Sequence, residues 1–519
     1  MTSLNVTTRT ALIAALGGFL MGFDASVISG VVGFIELEFS LSKIELGWSV
    51  ASLALAATFA MLVAGPLSDR FGRKPVLRAA AVLFAISALA SAIAPGFPSL
   101  VIARIIGGLG VGAALIIAPM YIAEIAPAAS RGRMVSINQL NIVIGISVAF
   151  FSNYVILNLG ESGMAWTQTV LLDNQTWRWM LGVELVPALL YFFCLRFVPE
   201  SPRWLAMRGN EQPALNVLGL FNTEEQAAAE LQLINRSLES DATASTGGFT
   251  DLLEPTLRKV MIIGLIVAIL QQITGINAVF FYAPMIFEQS GIGTDASFMQ
   301  AVLVGLTNLV FTIVAMALID KLGRKPLLVF GVAGMAISMF LLSWGFDQAS
   351  YTIDSSLLDG LPDDINIAAI EPLAGTTYDS DLNFRSALSD QLGHDKFLRS
   401  ESYLLSNAIN IQPGIILAGI LGFVACFAVS IGPVMWVLFS ELFPNRVRGV
   451  AISIVGLVNS AVSFLVQLLF PWQLANLGNA STFLMYGVFA LLGLGLVLWL
   501  LPETRGKTLE ELETDLVGH

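Results

Sequence analysis

Residues 11–32 read ALIAALGGFLMGFDASVISGVV, an apolar run with one carboxylate, Asp24, set inside it. A helix rises ~1.5 Å per residue and the hydrocarbon slab of a bilayer is about 30 Å thick, so a run of this length is a complete crossing. An ionisable group within it costs ~2.5–3.5 kcal/mol or more on insertion scales. Asp24 is therefore expected to turn away from lipid, toward a partner contributed by another part of the chain.

The same texture extends over all 519 residues, of which 56% are hydrophobic and only 12% charged, with mean hydropathy +0.78. A soluble chain carries about twice that charge fraction. Apolar runs at 11–32, 47–66, 76–94, 99–123, 134–158, 177–198, 260–287, 298–319, 327–345, 411–439, 449–472 and 480–501 predict an all-α membrane protein of twelve spans. The alternating strands of a membrane β-barrel are missing. Both cysteines, Cys194 and Cys426, fall inside apolar runs, so no disulfide framework is read, and no cleavable leader separate from the first run is evident. The two histidines, His394 and His519, lie outside the spans, which leaves any proton chemistry within the membrane to carboxylates. The net charge of −12 is local: residues 346–410 hold eleven Asp/Glu against three Lys/Arg.

An even number of spans places both termini on one side. Assigning that side to the cytoplasm puts most Lys/Arg in inner loops and leaves only Lys43, Arg385, Lys396 and Arg399 in outer ones, as the positive-inside bias requires. The expected organisation is an N-terminal six-helix bundle at 1–198, a cytoplasmic helical linker at 199–259, and a C-terminal bundle at 260–501. An extracellular insertion, 346–410, interrupts the second bundle, and a cytoplasmic tail occupies 502–519. The insertion is too polar to span and reads as a solvated loop without an assigned fold. Within the linker, TEEQAAAELQLINRSLES has the pattern of an amphipathic helix.

The halves repeat each other. DRFGRKP at 69–75 returns as DKLGRKP at 320–326. Glu124-Ile-Ala-Pro with Arg131 returns as Glu441-Leu-Phe-Pro with Arg448, at the same seven-residue interval, and Pro199-Glu200-Ser-Pro-Arg203 returns more loosely as Pro502-Glu503-Thr-Arg505. Three matched motifs in one order point to duplicated bundles. Topology alone explains the basic residues but not the acids beside them. Asp69, Arg70, Arg73, Glu124, Arg131, Glu200, Arg203, Asp320, Arg324, Glu441 and Arg448 are thus candidates for a cytoplasmic gate of ion pairs, each weak when wet but effective as a network.

GPLSDRFGRKP, PMYIAEIAP…RGR, PESPRWL, QQITGINAVFFYAP, DKLGRKP, GPVMWVLFSELFPNRVRG and PETRGKTLEELE together resemble the signature set of the sugar porter family of the major facilitator superfamily. The resemblance covers almost the whole chain outside the insertion. It implies two pseudo-symmetric six-helix bundles around a central sugar site, exchanging inward- and outward-open states in the plasma membrane. The polar residues inside the spans agree with it. Gln271, Gln272 and Asn277 share one apolar run, and Gln139, Asn308, Trp436 and Asn459 join from others. Amides offer both donors and acceptors to a polyhydroxyl ligand, and an indole face suits the C–H side of a sugar ring. Phe280 and Tyr282 complete the substrate-binding candidates. The family's frequent Tyr-Tyr pair is Phe281-Tyr282 here, and Ser460 stands where many members carry Trp. Ile146 and Phe280 match glucose-transporting members, a slight lean to a hexose over a pentose.

Counting helical rise places Asp24, Arg104 and Glu184 at one depth, roughly 20–22 Å up the slab. The three are the proton-coupling candidates. Proton symporters of the family carry Asp at the position of Asp24, whereas facilitative members commonly carry Asn. The resemblance therefore implies a monosaccharide–proton symporter, with a facilitative uniporter or a sugar-sensing receptor as alternatives. A primary pump lacks its GxxxxGK[ST] phosphate loop, and neither a nucleophile–base pair nor a metal cluster suggests an enzyme. The expected partners are a monosaccharide, protons and the lipid bilayer, with no cofactor, no metal, no nucleic acid and a monomeric state.

Overall fold

A backbone in hydrocarbon must close its own hydrogen bonds, so each apolar run becomes a helix from end to end. The computed structural model describes residues 3–127, 131–243, 254, 257–354, 370–444 and 447–505. Twelve helices in it are long and apolar enough to cross a membrane: α1 Val6–Gly30, α2 Lys43–Phe71, α3 Arg73–Ala92, α4 Phe97–Ile125, α5 Gly132–Glu161, α6 Thr176–Phe197, α7 Arg258–Phe281, α8 Thr294–Ile319, α9 Arg324–Asp347, α10 Pro413–Leu442, α11 Arg448–Leu477 and α12 Asn479–Leu500. Each coincides with one of the runs read from the sequence. The helical course of α7 is interrupted after Phe281 and resumes as Ala283–Glu288.

The spans form two six-helix bundles packed by one pattern. α1 lies on α5 as α7 lies on α11, α2 on α4 as α8 on α10, and α3 on α6 as α9 on α12. Such crossings need small residues, because lipid offers no hydrophobic drive between helices. A Cβ added at Gly108 or Gly112 of α4 would stand 2.3 Å from a carbonyl oxygen of α2, that of Leu53 or Ala57.

The duplication is visible atom by atom at the face that carries the basic loops. Gly72 (φ 104°) turns the chain from α2 into α3, and Gly323 (φ 95°) turns it from α8 into α9. Glu200 accepts from the Arg73 and Lys74 amides at 3.0 and 3.2 Å; Glu503 accepts from those of Arg324 and Lys325 at 3.1 Å each. Each carboxylate thereby satisfies orphan N–H groups and the positive end of a helix. Lys74 Nζ donates to Val198 O and Lys325 Nζ to Leu498 O, again in parallel.

Between the bundles, the linker holds helices Pro202–Met207, Glu211–Leu218 and Glu224–Thr243, the last over the stretch read as amphipathic. The insertion corrects the reading of a solvated loop. Strands Thr377–Tyr378, Ser350–Thr352 and Ile409–Asn410 form an antiparallel sheet in that order, and helices Asp381–Leu392 and His394–Ala408 pack on it. Tyr351, Ile353, Phe384, Leu388 and Leu404 make a core of its own. Residues 355–369 lie outside the described set, as do tail residues 506–519.

Candidate functional site: a cavity between the bundles and a buried acid cluster beside it

The bundles touch along α2–α11 and α5–α8, and these seams are tight only toward the insertion face. Trp48 meets Phe464 edge-on at 5.5 Å, Ser147 Oγ donates to Gly305 O at 2.9 Å, and Asn158 donates to Asp295 at 2.9 Å. Toward the basic face the bundles part around a cavity of about 630 Å³. Its walls there include Met61 and Gly65 of α2 and Ile452, Ser453 and Gly456 of α11. A Cβ at Gly65 or Gly456 would meet nothing within 4 Å, so this end is open.

Eight of the nine predicted substrate residues line the cavity: Gln139, Gln271, Gln272, Asn277, Phe280, Asn308, Trp436 and Asn459. Tyr282 does not, which corrects the sequence reading. The backbone leaves helical geometry at Tyr282 (φ −123°, ψ 17°), and its ring turns into the C-terminal bundle. There it is fully buried, its hydroxyl donates to Gln467 O at 2.9 Å, and its ring lies 5.2 Å from Phe470. Phe281 faces the cavity in its stead.

The C-terminal wall is a chain of side-chain hydrogen bonds joining α7 to α11. Asn459 donates to Gln271 Oε1 (2.8 Å), and Gln272 donates to Gln271 Oε1 and Asn459 Oδ1 (3.2 Å each). Asn277 donates to Gln272 Oε1 (2.8 Å) and Ser463 Oγ (2.6 Å), and Gln467 donates to Ser463 Oγ (2.8 Å). With both N–H groups of Asn277 engaged, its carbonyl is the atom left to a ligand. Ser463 and Gln467 escaped the sequence reading. Their signal was present: Asn459, Ser463 and Gln467 fall at i, i+4 and i+8, one polar stripe on an otherwise apolar helix.

Asp24, Arg104 and Glu184 come together as the depth count anticipates, and all three are buried. Arg104 Nη1 forms a short ion pair with Asp24 Oδ1 and also donates to the Asp24 carbonyl at 3.0 Å. Asp24 Oδ2 rests against Gly107 of α4, where a Cβ would stand 2.7 Å away. Among the described residues, Asp24 Oδ2, Arg104 Nε and Glu184 Oε1 have no hydrogen-bond partner. The neighbours of Asp24 on α1 (Met21, Gly22, Ala25 and Ser26) line the cavity. One turn of α1 thus has the acid cluster behind it and the cavity in front.

At the basic face the candidate gate residues pair within each half. Arg73 bridges Glu124 (2.9 Å) and Asp69 (2.8 Å), while Arg324 reaches Glu441 (2.7 Å). Arg203 reaches Ser237 of the linker at 3.4 Å. Arg70 lies over the Phe71 ring, and Arg448 donates to Phe443 O. The side chains of Arg131 and Asp320 lie outside the described set.

A family model described as "Sugar (and other) transporter" matches residues 10–356 and 400–516. The arabinose-proton symporter of Bacillus subtilis is 35% identical over 502 residues, covering 96% of this chain and 93% of that protein. The D-xylose-proton symporter of Escherichia coli is 36% identical over 536 residues, covering 97% and 94%. Among solved structures, the xylose transporter of Escherichia coli in a partially occluded, inward-open conformation superposes with a TM-score of 0.73 at 33% identity, covering 97% of this chain and 99% of that one. The duplicated bundles, the amide-lined cavity between them and a family match over nearly the whole length lead to one assignment: the chain is a twelve-span membrane protein of the sugar porter family in the major facilitator superfamily.

Proposed function

We propose that the protein imports a monosaccharide, hexose or pentose, together with a proton by alternating access, as a monomer with its basic face and both termini in the cytoplasm. The observation that carries this reading is the Asp24–Arg104–Glu184 cluster sealed behind the cavity wall. Two acids face one guanidinium there, in a medium that penalises net charge, so the cluster is neutral only when it holds one proton. With the Asp24–Arg104 pair formed, that proton belongs on Glu184. A second proton, arriving on Asp24 from outside, breaks the pair and frees α1 from α4. The same turn of α1 forms part of the cavity wall, so the release is transmitted to the sugar site. A passive uniporter has no need of such a cluster, and the two named relatives, both proton symporters, support the coupled reading.

Within the cavity, Gln271, Gln272, Asn277, Asn308 and Asn459 supply the polar contacts from one half, Gln139 faces them from the other, and Trp436 with Phe280 supplies apolar surface. The ion pairs of Arg73 with Glu124 and Asp69 and of Arg324 with Glu441 each stay within one half in the present state, and these charges meet across the halves when that face closes. Uptake of a labelled monosaccharide panel into proteoliposomes, with and without an inwardly directed proton gradient, tests the whole. At least one monosaccharide is expected to accumulate only with the gradient; uptake indifferent to pH for every sugar refutes the coupling.

The amide chain makes its own prediction. Ser463→Ala removes the shared acceptor of Asn277 and Gln467, stranding one buried donor, that of Gln467, at about 1–3 kcal/mol and releasing the half-buried one of Asn277 toward the cavity. Asn277 is then free to flip, and the expected result is roughly tenfold weaker sugar binding by calorimetry, with proton coupling per sugar unchanged.

A further inference from the structure

We propose that the folded insertion is a latch: carried by the C-terminal half, it grips the N-terminal half through Glu401 and Lys43 and holds this face of the carrier shut while the cavity is open on the other. The proposal rests on the alternating-access reading above.

Its attachments on one side are all to the C-terminal half. The insertion continues covalently from α9 and into α10. Asp381 accepts from the Asn479 amide at 3.1 Å, capping α12, and lies against Gly478, where the backbone turns at φ 80°. Ile409 packs on Gly291, in the turn before α8. On the other side it reaches the corner between α1 and α2. Lys43 Nζ stands 3.0 Å from Glu401 Oε2 and 2.6 Å from Glu36 Oε1, and Arg385 pairs with the other oxygen of Glu401.

The four groups alternate in sign: Glu36, Lys43, Glu401, Arg385. Their order matters more than their number. The central pair is the link that crosses between the halves. If the face opens, Lys43 keeps Glu36 and Glu401 keeps Arg385, so neither charge is orphaned, and breaking the link does not incur the large penalty of an unpaired buried ion. A permanent strut has no use for a second partner at both ends. The link is also partly shielded, with Lys43 at 21% and Glu401 at 7% side-chain exposure, so it is stronger than a wet surface pair. Burial lowers the Arg385 pKa, and the countering fields of Asp381, Tyr351 and Glu36 include one from the opposite half.

The test places spin labels on exposed positions of this face in each half, Glu161→Cys and Gln348→Cys, with Cys194 and Cys426 replaced by serine, in the full chain in lipid. In double electron–electron resonance, Lys43→Gln is expected to raise the long-distance, open population about fivefold. Glu36→Gln, which removes the pair within the N-terminal half and keeps the crossing pair, is expected to shift the distribution far less, and Lys43→Arg to keep it closed. An unshifted distribution in Lys43→Gln overturns the latch, and so does equal opening by Glu36→Gln, which makes the effect local to the α1–α2 corner. Because the readout is distance alone, a failed latch leaves the proton coupling to stand or fall by the proteoliposome assay.

Discussion

Asp24→Asn is expected to abolish sugar-driven proton uptake while leaving sugar counterflow within a few-fold of the parent. The asymmetry follows from which acid carries the ion pair between α1 and α4. Removing the Asp24 charge leaves Glu184 as the counter-charge of Arg104, and a proton taken by Glu184 breaks no ion pair between α1 and α4, so it is not transmitted to the cavity wall. The fold tolerates it because Arg104 retains a counter-charge within the same buried pocket. Arg104→Leu is a different case. It leaves two acids in hydrocarbon without a cation, and breaking a buried pair from one side costs about 3–5 kcal/mol. That variant is expected to fail in folding, which makes it a poor probe of mechanism. The coupling itself has a magnitude. At one proton per sugar, one pH unit is worth about 1.4 kcal/mol, or tenfold accumulation at equilibrium. Asp24→Asn should bring that ratio to one, measured as internal over external labelled sugar at steady state, with the external alkalinisation on sugar addition lost as well. Undiminished proton uptake in this variant refutes the assignment of Asp24.

The site was legible where its residues are anomalous for their surroundings. A carboxylate inside an apolar run, or an amide inside another, must be partnered, and helical rise converts position into depth; Asp24, Arg104 and Glu184 were placed together on that ground. Tyr282 was misread because its orientation depends on a local break in α7 that periodicity does not announce. Ser463 and Gln467 do not stand out because a serine or a glutamine within a span is also compatible with helix packing. The insertion shows a different limit. Phe384, Leu388 and Leu392 stand at helical spacing, as do Leu404 and Ala408, but the segment's eleven acids dominate its composition. A core so small needs few apolar residues, and its strands pair partners nearly sixty positions apart, as Tyr351 does with Ile409. Nothing local encodes that pairing. The repeated motifs show the opposite case: Gly72 and Gly323, Glu200 and Glu503, Arg73 and Arg324 were matched by sequence, and the matched atoms make matched bonds.

Two glycines on α2 should push the carrier in opposite directions. Gly47 lies at the closed end, where a Cβ would stand 2.0 Å from the Leu468 carbonyl oxygen of α11. That contact is backbone, so no side-chain rotation relieves it; the helices themselves must part. Gly47→Val is therefore expected to open the insertion face and disfavour the state described here. Sugar binding from outside persists, while transport falls by more than tenfold because the face cannot reclose. Gly65 sits eighteen residues on, roughly 27 Å along the same helix, at the open end of the cavity. A side chain there meets nothing in this state, so Gly65→Val is accepted without strain. In the alternate state the two halves approach at the basic face, and a valine on the closing wall obstructs them. Gly65→Val should accordingly hold the carrier open to the basic side and also abolish net transport. Both variants are inactive in uptake, but they separate by sidedness. A membrane-impermeant thiol reagent added from outside should reach Ser26→Cys, on the cavity wall, in the Gly47→Val background and not in the Gly65→Val background. The reverse pattern, or protection in both, removes the rocking of α2 against α11 as the motion that exchanges the two faces.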